Sequence, residues 1–361
     1  MSHKGNGGSP DKQHIFYMKR QLTAIAISGG IDSLVAAYLL KKQGHKVIGI
    51  HFTTGYETEP VNAFSHIADK LDINIKVLDC HKEFKQKVVD YFIQSYLTGQ
   101  TPNPCMVCNP LIKFGTMLEF ARRLGASCLA TGHYAGITKN KDGRFHLLKG
   151  VDPEKDQSYF LAFMSQKQLA HACFPLGTMT KEEVIKLAKE HELDHFIKQE
   201  SQDICFIKGK SYGEFIALQK SLIPQPGLIE DIDGNIIGKH KGLHLFTIGQ
   251  RRGINLPASE PYYVVRIDRK QNRIIVGFKN SLMASECKVT GINWIDKEPT
   301  SPVKVYTRVR YRHKAVLSTL FPNDGNKAIV RFKTPQSAIT PGQGAVFYRD
   351  NEVLGGGWIA S

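Results

Sequence analysis

From Leu22 to about Arg144, short apolar runs alternate with stretches whose apolar residues recur at helical spacing. LTAIAI is followed by IDSLVAAYLLKKQG, then KVIGIHF, a segment ending in IADKL, and INIKVL. Strand-like runs separated by helical periods predict β-α-β units, hence a parallel sheet with helices on its faces. In the first helix Ile31, Leu34, Val35, Tyr38 and Leu39 occupy positions i, i+3, i+4, i+7 and i+8, and Gly44 is placed to end it. Longer helices are predicted over 83–97 and 112–124, and SCLATGHY reads as a later core strand with its terminal loop. In TKEEVIKLAKEHE, Thr180 and Glu183 stand at capping-box spacing, which marks a helix start.

Past about Ile207 the pattern changes. From Ser221 onward helical periodicity fades, Gly and Pro multiply, and LIEDIDGNIIG predicts a hairpin turning at Asp233-Gly234. YYVVRID, RIIVGF, VKVYTRVRYR, KAIVRF and AVFYRD are short β-type runs at the intervals of sheets or a small barrel. The expected fold class is α/β: a flexible extension over 1–17, a parallel-sheet domain over 18–207, a small central domain over 208–283 and a C-terminal β-barrel over 284–361.

Composition narrows the class without naming it. With 361 residues, 42% hydrophobic and 22% charged, the chain is ordinary globular material, which excludes a disordered, collagen-like or coiled-coil protein. No apolar run approaches the roughly 18 residues of a membrane span, and the first stretch lacks the apolar centre of a secretory signal, so a cytoplasmic protein is expected. Seven cysteines are too few, and odd in number, for a disulfide scaffold, which directs attention to clustered thiols as chemistry. Forty-eight Lys and Arg against 33 Asp and Glu give a net charge of +15, which suits a polyanionic partner such as nucleic acid.

SGGIDS, residues 28–33, lies between the first strand and the first helix. Gly29 and Gly30 leave backbone amides unblocked in front of the positive end of the helix dipole, Ser28 and Ser33 add hydroxyl donors, and Asp32 is placed to hold magnesium on a phosphate. The spacing is neither that of a Walker loop nor G-x-G-x-x-G. A bare Gly-Gly turn is usually structural; the complete hexad between strand and helix favours phosphate binding.

SGGIDS resembles the signature of the PP-loop ATP pyrophosphatases, whose domain is the adenine nucleotide alpha hydrolase-like parallel sheet. TPNPCMVCNPLIKF at 101–114, ATGHYA at 130–135, KDQSYFL at 155–161, SQDICF at 201–206, RVRYR and PGQGAVFY occur in the order of the bacterial tRNA-specific 2-thiouridylases, the MnmA family. The similarity runs from about Met18 to the end. It implies ATP and magnesium as reactants and adenylation of the 2-oxygen of uridine 34 in Lys, Glu and Gln tRNAs. A cysteine desulfurase or sulfur-relay protein would supply the sulfur, with no membrane partner. Ala26, Ile27, Ser28, Gly29, Gly30, Ile31, Asp32, Ser33, Phe52 and Gly132 would contact the nucleotide. Cys108 would be the nucleophile and Cys205 the persulfide carrier, a soft sulfur source for a carbon whose oxygen ATP has made a leaving group. Asn103, Pro104 and Cys105 would lie beside the target base, while His133, Lys155, Asp156, Gln157, Arg310, Tyr311 and Gln343 would touch tRNA.

One position departs from the family. The usual pattern is PNPDxxC, and here Cys105 occupies the aspartate position, so an ordinary carboxylate role is lost there. Cys105, Cys108 and Cys205 together could ligate three irons of a four-iron cluster, and zinc with His133 as a fourth ligand is a further option. In the C-terminal region strand alternation would place Arg308, Arg310 and Arg312 on one face, which is either a solvated sheet face or an RNA grip. Two rival functions remain open: a PP-loop ligase or amidotransferase acting on a small carboxylate, and a non-catalytic tRNA-binding protein. Paired cysteines speak against the first and the intact SGGIDS against the second.

Overall fold

The computed structural model describes residues 21–57, 64–193, 204–209, 211–221 and 225–361. The expected 1–17 extension and residues 201–203 of SQDICF lie outside them. The apolar runs of the first half become β1 (Leu22–Ala26), β2 (Lys46–Thr53), β3 (Asn74–Asp79), β4 (Cys128–Ala130) and, after a hairpin of β5 (Ala135–Lys139) and β6 (Phe145–Lys149), β7 (Ala172–Cys173). Five of these pair in parallel in the order β3-β2-β1-β4-β7. Strand order reverses between β1 and β4, and in open α/β sheets the crevice at such carboxyl ends is where ligands bind.

Helix α1 (Ile31–Lys42) is buried on most of its surface, packed between the sheet and a later helix. It stops as expected, with Gly44 in the left-handed region at φ +85°. The short α2 (Ser65–Leu71) precedes β3. Two longer helices each contain a π-helical stretch. α3 is formed by His81–Phe84, Lys85–Val89 and Asp90–Leu97, and α4 by Pro104–Cys108, Asn109–Met117 and Leu118–Arg123. α4 therefore begins well before residue 112, where periodicity placed it. Asn103 caps it by accepting a bond from the Met106 amide at 3.3 Å, and Pro104 fills the first helical position. After α5 (Gln166–Leu169), the Thr180–Glu183 box opens α6 (Lys181–Glu190) with both reciprocal bonds formed.

Beyond α7 (Tyr212–Lys220), β8 (Gly227–Asp231), β9 (Ile236–His240), β10 (Tyr263–Asp268) and β11 (Arg273–Gly277) make a four-stranded sheet over Ile229, Phe246, Val264 and Ile274. The expected turn at Asp233-Gly234 joins β8 to β9. The last strands are β12 (Met283–Trp294), β13 (Val303–Arg308), β14 (Val316–Asn323), β15 (Lys327–Ser337), β16 (Gly344–Arg349) and β17 (Glu352–Ile359). They run in the order β12-β15-β14-β13-β16-β17 and close into a barrel through the β12–β17 pairing. The sheet continues outside the barrel: β6 pairs with β17, so the 135–149 hairpin from the first region extends it.

The basic strand face expected of Arg308, Arg310 and Arg312 does not exist. β13 ends at Arg308, and the chain bends and turns through 309–312. Arg308 points inward to Asp156, 3.1 Å away, with both side chains largely buried. Its guanidinium also lies over the rings of Tyr159 and Tyr311 and donates to the Tyr311 carbonyl, which fixes the chain reversal. Arg310 donates to Thr340 Oγ1 at 3.0 Å, and only Arg312 of the three is exposed.

The Arg308–Asp156 pair joins the barrel to the first region, beside neutral hydrogen bonds such as that from the Tyr159 hydroxyl to the Gly344 carbonyl. Asp156→Ala would leave a buried guanidinium without its partner, a loss of about 3–5 kcal/mol. Urea unfolding of the free protein should show a clearly lower midpoint for this variant; a midpoint equal to wild type would mean that the pair does not hold the two parts together.

Candidate active site

The turn after β1 is built as a cradle. Gly29 sits at φ +81°, a conformation that residues with a Cβ adopt at a penalty. Gly30 is the N-cap of α1 and no side chain caps that helix, so an anion is the natural partner for its first-turn amides. Ser33 Oγ donates to the Gly30 carbonyl at 2.8 Å and accepts from the Ser28 hydroxyl at 3.2 Å. The Gly30 amide in turn reaches Ser28 Oγ at 3.3 Å. Ile27 follows Ala26 and extends the β1–β2 pairing through its amide to the Ile50 carbonyl, while half-buried Phe52 lies toward the carboxyl end of β2.

Asp32 is held by two residues that motif reading missed. Lys181 Nζ lies 2.8 and 3.0 Å from its two carboxylate oxygens, and the Tyr134 hydroxyl donates to it at 2.7 Å. Lys181 follows the Thr180 cap, so the direction of its helix was legible while the residue it meets was not. The turn after β4 presses on the same point. A Cβ on Gly132 would lie 2.8 Å from the backbone carbonyl carbon of Asp32, so glycine is required for this approach.

The next residue, His133, reaches the helix that carries Cys105 and Cys108. Its Nδ1 is 2.6 Å from Thr131 Oγ1 and its Nε2 is 3.3 Å from Lys113 Nζ. Burial, reinforced by Lys113, holds its pKa well below the usual histidine value, so the ring is neutral: Nε2 accepts from the ammonium and Nδ1–H donates to Thr131. In this arrangement both ring nitrogens of His133 have hydrogen-bond partners.

Cys108 is buried at the end of the first segment of α4, and Cys105, one turn earlier, is exposed. Ile204 and Phe206, which flank Cys205, pack into the same apolar cluster as Cys108, Phe84 and Phe92. Folding thus brings together the two cysteines that the sequence holds far apart. Cys205 reaches solvent although protein surrounds it densely. Desolvation pushes the Cys108 thiol up to about 12, that of Cys205 up to about 11, and Cys105 upward as well. Among the described residues no three His, Cys, Asp or Glu side chains are grouped as ligands for a metal ion.

The residues expected to touch tRNA form a connected belt. Gln157 pairs with the backbone of Tyr134 through its own amide at 2.9 Å and its side-chain oxygen at 3.1 Å. Asp156 binds Arg308, and Tyr311 packs on Phe160 with centroids 4.3 Å apart. Gln343 donates to the carbonyls of Thr101 and Pro102 at 3.0 and 3.1 Å, immediately before Asn103 and Pro104. Lys155 lies in the turn that precedes Asp156, its amide bonded to Asp152. The barrel therefore braces the cysteine-bearing helix directly.

A parallel sheet that ends in a Gly-Gly phosphate cradle, with a thiol pair beside it and two β domains behind, defines a PP-loop adenine-nucleotide protein. Models for the tRNA methyl transferase HUP domain, the tRNA methyl transferase PRC-barrel domain and the aminomethyltransferase beta-barrel domain match residues 21–209, 214–278 and 284–359. The protein named tRNA-specific 2-thiouridylase MnmA in Desulfosudis oleivorans is 50% identical over 94% of this chain and 94% of its own length. Those of Syntrophotalea carbinolica and Geobacter metallireducens are 45% and 42% identical, covering 95% and 94% of this chain and 99% and 97% of their own. The chain belongs to the MnmA family.

Because Gly132 touches the backbone of Asp32, a single added methyl group should open the cradle. Gly132→Ala is expected to weaken ATP binding at least about tenfold in titration calorimetry while its far-ultraviolet circular dichroism stays that of wild type. Unchanged affinity would show that the close approach is not needed for the nucleotide.

Proposed function

We propose that this chain is an ATP-dependent tRNA 2-thiouridylase that replaces the 2-oxygen of uridine 34 by sulfur. One observation carries the reading: Gly132 abuts Asp32 of the phosphate cradle, and its neighbour His133 reaches Lys113 on the helix that carries Cys108. Nucleotide chemistry and sulfur chemistry thereby share one crevice. The names of its relatives, all tRNA-specific 2-thiouridylases, support the same reading.

The chemistry follows from the parts. A carbonyl oxygen leaves poorly, so it is first joined to the α-phosphate of ATP with release of pyrophosphate. The amides of α1 and the hydroxyls of Ser28 and Ser33 hold the phosphates, and Asp32, oriented by Lys181 and Tyr134, is the carboxylate at hand for magnesium, which would neutralise phosphate charge. The outer sulfur of a persulfide on Cys205 then attacks C2 and AMP departs with the oxygen. Cys108 attacks the inner Cys205 sulfur, releasing 2-thiouridine and leaving a Cys108–Cys205 disulfide that an external thiol reduces. Pro104 and Cys105 at the start of α4, braced by Gln343, flank the place of the target base. The sulfur donor is a cysteine desulfurase or relay protein, and the substrates are the Lys, Glu and Gln tRNAs. We take the persulfide route and draw no step through an iron–sulfur cluster, since among the described residues no three side chains are grouped as ligands for a metal ion.

The decisive experiment combines the purified chain with ATP, tRNA and a persulfide donor, and measures AMP and 2-thiouridine. ATP cleavage without thiolation of tRNA would favour a ligase, and tRNA binding without ATP cleavage a silent binder. Asp32→Ala and Ser33→Ala should abolish AMP formation while tRNA affinity stays within about twofold, since Arg310, Tyr311 and Gln343 of the expected tRNA contacts are bonded to or packed on Thr340, Phe160 and Thr101 and not on the cradle. A variant that cleaved ATP normally and bound tRNA ten times more weakly would reverse the assignment.

Cys105 gives a second test. On the persulfide route Cys105→Ser keeps both working sulfurs and should retain measurable thiolation, with no iron in anaerobically purified wild type or variant. About four irons per wild-type chain, lost in the variant together with activity, would replace the persulfide reading by the cluster.

A further inference from the structure

Lys113 belongs to no assigned role, yet its charge acts on all three thiols of the sulfur site. It stands five residues after Cys108, within the π-helical stretch Asn109–Met117. Hydrogen bonds from i to i+5 make each turn of such a segment wider than an α-turn and bring residue 113 about one turn from Cys108; in a regular α-helix it would point well round to another side. The wide turn is built in by other residues. A Cβ on Gly115 would come within 2.9 Å of the Pro110 carbonyl oxygen, and Gln168 donates to the carbonyls of Pro110 and Phe114 at 2.7 and 3.1 Å. π-helical stretches of this kind are frequent at functional sites.

The charge of Lys113 is not matched by an ordinary partner. Among the described residues it forms no ion pair with a carboxylate, and its hydrogen-bond partner, His133, is neutral. It lies within electrostatic reach of three thiols, acting on Cys105, Cys108 and Cys205, in each case favouring the anion. The other ionisable groups that act on Cys108 are Cys205, Cys105 and Cys80, all of which oppose an anion there; Cys205 feels Cys105 and, as a second cation, Lys208.

We infer that Lys113 is the cation that holds the sulfur anion of this site: anchored on His133 Nε2 and aimed by the π-helical turn, its ammonium stabilises the negative charge on Cys108 and on Cys205 or its persulfide. The thiol proton leaves to water and no other bond changes in this step. Lys113 is thus a positioning and charge-stabilising residue for the sulfur transfer, and the inference rests on the thiolation reading for its purpose though not for its test.

The main test uses the full chain without ATP or tRNA, and a second readout adds both. Iodoacetamide alkylation of each cysteine is followed by peptide mass spectrometry between pH 7 and 10 in wild type, Lys113→Gln, Lys113→Met and Lys113→Arg. Gln keeps a donor for His133 and loses the charge, Met keeps only the apolar stem, and Arg keeps the charge. A tenfold smaller thiolate population, partly offset by the greater nucleophilicity of a more basic thiolate, predicts alkylation of Cys108 and Cys205 about threefold slower in both neutral variants. Arg should stay within about twofold of wild type, and Cys287, in the barrel core, should not change. The thiolation activity of Lys113→Gln should recover as pH rises, whereas a merely structural defect lowers it at every pH. Wild-type alkylation rates in whichever neutral variant folds, or an Arg variant as slow as Gln, would overturn the inference. An altered alkylation pattern in a protein that fails to thiolate tRNA would instead count against the proposed function and leave the role of Lys113 standing.

Discussion

The site depends on two backbone turns that touch. The turn after β1 and the turn after β4 meet where Gly132 lies against Asp32, at a separation that excludes any side chain. From that contact the phosphate cradle extends to one side through Ser28, Gly30 and Ser33, and the thiol pocket to the other through His133 and Lys113. A parallel sheet with its order reversed between β1 and β4 is what makes the meeting possible, since both turns then leave the same edge of the sheet. Separating them by even a methyl group would place the reacting nucleotide and the sulfur out of register, and misplacement of about 1 Å is enough to slow a positioned reaction severely.

The second requirement is rigidity of the cysteine-bearing helix, and it comes from distant sequence. Gln343 holds the two carbonyls before Asn103, the Thr101 amide donates to the Pro341 carbonyl, and Gln168 grips the π-helical stretch. The barrel is therefore a support for the active-site helix as well as a candidate RNA surface. Several residues expected on RNA, Asp156 and Gln343 in particular, have partners inside the chain.

Local signals carried most of the fold. The strand–helix alternation, the Thr180–Glu183 box, the Gly44 stop and the turn at Asp233-Gly234 are decided by residues a few positions apart, and each is found where the chain pattern puts it. The Asn103-Pro104 cap was equally local and was passed over because apolar periodicity sets in only later. Long-range pairings were not legible. Nothing within 135–149 shows that this hairpin will join the edge of β17, and nothing in RVRYR shows that Arg308 will turn inward, because the deciding group, Asp156, lies in another domain. At the site the motif residues were legible from resemblance, while Lys181, Tyr134 and Lys113 were not, since each acts on a motif it does not belong to.

The exchange of aspartate for Cys105 can be argued from the same electrostatics. A carboxylate one turn before Cys108 would stand within the field of Lys113 and, being ionised at neutral pH, would attract the ammonium to itself. It would also repel an anion forming on Cys108 or Cys205. The Cys105 thiol, pushed upward by its dense surroundings, carries no such charge at neutral pH, so Lys113 keeps its field for the sulfurs that need it. Chains with aspartate at this place would have to divide one cation between a carboxylate and a sulfur anion. In the present chain the cost of making a sulfur anion in a desolvated pocket is opposed by a lysine with no carboxylate competitor among the described residues, and the substitution becomes a change in how that charge is balanced.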